Sequence, residues 1–98
     1  MKHFVLVYEY VPDFRDKRAP YRAAHLAHAN ASIARGELQL AGAFADDPAE
    51  GMFLFTAQSA AVAEAYASGD PYVLHGVATG WRVREWVTTV GKDALTKV

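Results

Sequence analysis

The chain of 98 residues contains no cysteine. Disulfides, thiolate zinc sites and a cysteine nucleophile are therefore excluded. Neither sign of charge dominates: 10 Lys and Arg against 11 Asp and Glu leave a formal net charge of −1. Such a balance gives no electrostatic footprint for nucleic acid or an anionic membrane, and neither is expected as a partner. No apolar run is long enough to span a bilayer. The opening MKHFVLVYEYVP carries Glu9 inside its apolar run and lacks a small-residue cleavage site. It reads as a first strand and not as a signal peptide, so a cytoplasmic location is expected. Linkers, repeats and low-complexity segments are also missing. Residues 1–98 should form one domain with a single thin core.

What remains is an ordinary globular mixture, 52% hydrophobic and 21% charged. FVLVYEYV, between His3 and Val11, is β-branched and aromatic, as a strand buried on both faces would be. PDFRDKRAP reads as a polar loop, with Pro20 suited to the first position of a helix. That helix should run from about Tyr21 to Arg35 and stop at Gly36. ELQLAGAF and MFLFTA alternate as strands around the turn cluster DDPAEG, forming a hairpin over residues 37 to 57. Ser59 can cap a short helix, AAVAEAYA, and Asp70-Pro71 can open another helical turn. TGWRVREWVTTV closes the order β-α-β-β-α-β. This is an α+β, ferredoxin-like pattern: a four-stranded antiparallel sheet with both helices on one face.

Two helices cover only one side of such a sheet. The strands are not apolar on one side alone, since Phe4, Leu6 and Tyr8 alternate with Val5, Val7 and Glu9, and Phe53 and Phe55 with Met52 and Leu54. An uncovered face of this composition would be a large exposed patch. A homodimer packed sheet to sheet is the expected solution.

Chemistry concentrates in YRAAHLAHANA, residues 21 to 31. At about 100° per residue, Leu26, Ala29 and Ile33 fall within about 60° of one another and are expected to face the core. His25 then lies at the border of that stripe, about 75° from its centre, and His28 faces solvent at more than about 130°. Two histidines three apart can share a metal, but no HExxH spacing or same-face carboxylate completes a site, and no metal is expected. His25 beside Arg22 can be a base next to an anion-holding cation, or a boundary histidine bonded to backbone. Asp70 is a sufficient helix cap in its own right, and Tyr72 suits packing at the rim. Asp46 and Asp47 are adjacent in a turn. Ser32 and Ser59 lack the surroundings of a nucleophile elbow.

RAAHL at 22 to 26, GELQLAGAF at 36 to 44, DPYVLHG at 70 to 76 and VREWVTTVGKDAL at 83 to 95 occur in an order that resembles the YciI-like family of the dimeric α+β barrel group. The resemblance covers nearly the whole chain. It implies a ferredoxin-like domain that dimerises through its sheets. It further implies an active site made from the histidine of R-x-x-H-L, here His25, and the aspartate of D-P-Y, here Asp70. Arg22 and Tyr72 belong to the same motifs and would line the substrate pocket. In such a pair the carboxylate fixes the imidazole tautomer and the other ring nitrogen moves a proton.

One branch of the family is associated with dehydrochlorination of a chlorinated hydroxyquinol. The wider group includes muconolactone isomerases, metal-free monooxygenases and haem enzymes. A helix-border histidine in so short a chain suits haem poorly, and no cofactor is expected. The reading is a small enzyme of lyase or isomerase type, moving a proton on a small aromatic or enol-forming substrate. The alternative is a non-catalytic module that binds a small metabolite in the same pocket, in a stress or regulatory setting.

Overall fold

The computed structural model describes residues 1–97. Four strands, β1 (Lys2–Tyr10), β2 (Leu38–Ala43), β3 (Glu50–Ala57) and β4 (Ala78–Trp86), form one antiparallel sheet in the order β2-β3-β1-β4. Four helices accompany them: α1 (Phe14–Lys17), α2 (Arg22–Ala34), α3 (Ala61–Gly69) and α4 (Pro71–Leu74), with a 3₁₀ turn at Ala19–Tyr21. This is the α+β, ferredoxin-like arrangement.

Pleating sorts the central strands. Phe4, Leu6 and Tyr8 of β1 lie beside Phe53 and Phe55 of β3 and pack against Ala63, Tyr66 and Ala67 of α3 in one buried cluster. Val5, Val7 and Leu54 are half-buried on the opposite face, where Met52 and Trp86 stand 38% and 51% exposed. Gly51 lies opposite Tyr8, and a Cβ there would come within 2.9 Å of the Tyr10 ring. Glycine lets that ring lie across the strand, where it stacks on Phe14 with centroids 4.4 Å apart.

Three boundaries differ from the sequence expectation. PDFRDKRAP is not all loop: it holds α1, whose Phe14 is 1% exposed and anchors the segment to the core. A single phenylalanine among charged residues leaves no periodicity to read. Pro20 belongs to the 3₁₀ turn, so α2 starts one residue later than expected. β4 ends at Trp86 because the chain then turns back. Thr88 Oγ1 shares a 2.7 Å hydrogen bond with His3 Nδ1 and accepts the Leu95 N–H at 3.0 Å. The expected stop at Gly36 matches its φ of +78°, just past the end of α2.

Candidate acid–base site

The helix-face assignment is where sequence and structure part. The core-facing residues of α2 are His25, Ala29 and Ser32. Leu26 and Ile33, expected inside, are 43% and 51% exposed. They line a cavity of about 270 Å³ between α2 and the β2 edge, together with Leu38 and Phe53. Periodicity identified residues that share a face but not which neighbour that face meets. His28 is likewise not a solvated ring: it is half-buried, its Nε2 donates to the Tyr66 carbonyl at 2.8 Å, and its ring packs on Tyr66. The α3 helix comes to α2 on that side.

His25 is 7% exposed and stands at the cavity wall. Its Nδ1 lies 2.9 Å from Asp70 Oδ1 and 3.0 Å from Oδ2. Asp70 is fully buried between α3 and α4. Its Oδ1 also accepts the Tyr72 backbone N–H at 3.0 Å, which caps α4, and its Oδ2 accepts the Tyr8 hydroxyl at 2.8 Å. A side chain already accepting from a hydroxyl and an amide is a hydrogen-bond acceptor toward its third partner as well. The geometry therefore places the proton on His25 Nδ1, the ring nitrogen that meets the carboxylate.

The ring is fixed on its flat side too. Tyr72 stacks on His25 with centroids 3.7 Å apart and planes 3° from parallel, and Phe53 meets it edge-on. The Tyr72 hydroxyl accepts from Arg22 Nη1 at 3.1 Å. All four residues singled out in the sequence thus lie in one connected cluster: Arg22 to Tyr72, Tyr72 to His25, His25 to Asp70. His3 and His75 are elsewhere. His3 sits under the C-terminal turn and His75 stacks on Tyr21, and neither lines the cavity. Among the described residues, no three His, Asp or Glu side chains are grouped closely enough to hold a metal ion.

Two participants escaped the sequence reading. Tyr8 follows Phe4 and Leu6 on the buried face of β1, and a phenol tip in a core needs a partner; that was the available signal. Burial first, then the charge and hydrogen bond of Asp70, push the Tyr8 hydroxyl far above its ordinary range, so it stays a donor. Arg18 lines the cavity beside Arg22. Burial also raises the Tyr10 hydroxyl, Asp70 and Tyr72 add to the rise, and both arginines oppose it, so the two cations act on the same ring.

A histidine at a cavity wall, bonded to a fully buried aspartate, thus sits in a small ferredoxin-like α+β domain. The profile of the YCII-related domain matches residues 1–87, and the chain belongs to that family. No curated protein matches it at significance. Solved structures that share the fold include these two. One is 5-chloro-2-hydroxyhydroquinone dehydrochlorinase from Burkholderia phenoliruptrix AC1100, in complex with 2,5-dihydroxybenzoquinone. It is 21% identical with a TM-score of 0.72, over 88% of this chain and 94% of that one. The other is a protein from Agrobacterium tumefaciens, 13% identical with a TM-score of 0.53, over 97% of this chain and all of its own.

Proposed function

We propose that this chain is a one-domain, cytoplasmic acid–base enzyme of lyase or isomerase type. His25 Nε2 takes a proton from, or returns it to, a small aromatic or enol-forming substrate, and Asp70 orients the ring and stabilises the imidazolium. Arg22 and Tyr72 border the substrate. The observation that carries this reading is the fully buried Asp70, held by three donors and presenting one of them, His25, at a cavity. So buried a carboxylate is costly unless fully partnered, and partnering it through a cavity-wall histidine favours chemistry over simple capping. The dehydrochlorinase with the same fold agrees in kind, since loss of HCl from a hydroxylated ring requires a proton to be moved.

The test is hydrogen–deuterium exchange at the ring carbons of 1,2,4-trihydroxybenzene, with chloride release from 5-chloro-2-hydroxyhydroquinone measured alongside. His25→Gln should lower both rates by about 10²- to 10⁴-fold, the usual worth of a positioned general base. A wild-type protein that accelerates neither beyond buffer would sink the enzyme reading and favour the ligand-binding module.

The open sheet face supports a second part of this proposal, a homodimer packed sheet to sheet. Val5, Val7 and Leu54 with the exposed Met52 and Trp86 make an apolar surface, bordered by Arg82, Arg84 and Glu85, of the kind monomers seldom leave bare. Sedimentation at micromolar concentration should give twice the chain mass, and Leu54→Glu should give one chain mass. A wild-type monomer would refute it.

A further inference from the structure

The cavity runs along one side of α2. Arg22, His25, Leu26, Ala29 and Ile33 all line it, spaced as one helical face, so its floor extends about 16 Å along the axis from Arg22 to Ile33. Its two ends differ chemically. At the N-terminal end stand Arg18 and Arg22, and no Asp or Glu is among the lining residues. Among the described residues neither arginine belongs to an ion pair with a carboxylate. Arg22 is further steadied by the Tyr72 hydroxyl. Toward the other end the wall is Leu26, Ile33, Leu38 and Phe53. Leu26 and Ile33 leave roughly half their surface open on a helix whose core face is made of His25, Ala29 and Ser32. Large apolar side chains facing a cavity, with uncompensated guanidiniums at its mouth, form a surface complementary to one kind of ligand.

We infer that the cavity takes an amphipathic organic monoanion: a carboxylate or phenolate held by Arg18 and Arg22, with an apolar ring or branched chain lying over Leu26 and Ile33. His25 Nε2 then faces the carbon atoms just behind the charged group, where the ring carbon ortho to a phenolate can take a proton and give it back. A guanidinium fork matches a carboxylate geometrically, and the absence of a competing acid leaves the fork available. The volume, about 270 Å³, falls just below the range of about 300–1,000 Å³ usual for small-ligand sites, which limits the ligand to a small metabolite. The inference names the substrate class of the acid–base reading and rests on it only for the role of Nε2; the binding geometry stands apart from any turnover.

Three probes separate the parts by calorimetric titration at low salt: 4-phenylbutyrate with charge and ring, 4-phenylbutyramide with the ring alone, and acetate with the charge alone. The acid should bind at least about tenfold more tightly than either of the others. Arg18→Gln with Arg22→Gln should bring acid and amide to within about twofold of each other. Ile33→Asn should weaken acid and amide alike and leave acetate unchanged. In the wild-type protein, which depends on no variant folding, raising salt from about 20 mM to about 500 mM should weaken the acid and spare the amide, because screening acts on the charge. Equal binding of acid and amide, acetate binding as tightly as the acid, or no binding of any probe would each overturn the inference. Expected probe binding together with exchange rates unaffected by His25→Gln would instead overturn the acid–base reading and leave this one standing.

Discussion

Asp70→Ala should lower the stability of the folded chain by about 4 kcal/mol or more, because one deletion strands three buried donors. The Tyr8 hydroxyl, the Tyr72 N–H and His25 Nδ1 all end on this carboxylate, which has no exposed surface. An unpaired buried donor costs about 1–3 kcal/mol, and the Tyr72 N–H among the three is also the one that caps α4. Asp70→Asn should be milder, at about 1–2 kcal/mol, since the amide oxygen can still receive the Tyr72 N–H. Tyr8→Phe removes one donor and leaves the carboxylate two, so it should cost about 1 kcal/mol. The expected order of urea midpoints is wild type, Tyr8→Phe, Asp70→Asn, Asp70→Ala, at an unchanged denaturant slope. An alanine variant within about 1 kcal/mol of wild type would show that the network is not a stabilising unit and that Asp70 is only a cap.

A loss of similar size should appear on the alkaline side. Tyr8, Tyr10 and Tyr66 are each raised above their ordinary value of 10.0, in every case by burial first and Asp70 second. Above that value the unfolded chain releases three phenolic protons that the folded chain retains. The unfolded state then binds fewer protons, so stability is complete below pH 10 and falls as pH rises. Each tyrosine contributes about 1.4 kcal/mol per pH unit, giving a slope of about 4 kcal/mol per unit above about pH 11. A fold of ordinary stability, about 5–15 kcal/mol, would unfold within a few units. Tyr66→Phe is the informative variant. The Tyr66 hydroxyl is buried without a hydrogen-bond partner among the described residues, so removing it should cost nothing at neutral pH while cutting the alkaline slope by about a third. Phenolate absorbance from Tyr8, Tyr10 and Tyr66 should rise together with the loss of circular dichroism. More than two of the five tyrosines ionising near pH 10 in a protein that keeps its secondary structure would contradict the burial of these three rings.

The order of elements was written locally in the chain. A β-branched run, a glycine able to take φ of +78° after α2, an alternating hairpin around DDPAEG and an aspartate before Pro71 each act within a few residues. Such signals survive in one dimension, and with the YciI-like resemblance they determined the ferredoxin-like arrangement and drew attention to His25, Asp70, Arg22 and Tyr72. Which side of α2 turns inward was not written there. His25, Ala29 and Ser32 face the core because α3 and the Asp70 carboxylate lie on that side, and a polar ring finding a buried charge outweighs the apolar stripe of Leu26 and Ile33. That stripe was legible; its neighbour, a cavity and not a core, was not. Tyr8 joined the site only through its bond to Asp70 across 62 positions, and Arg18 only by lining the cavity. Periodicity fixes what shares a surface, while the packing of distant segments decides what that surface meets, because burial and hydrogen-bond pairing are properties of the assembled chain.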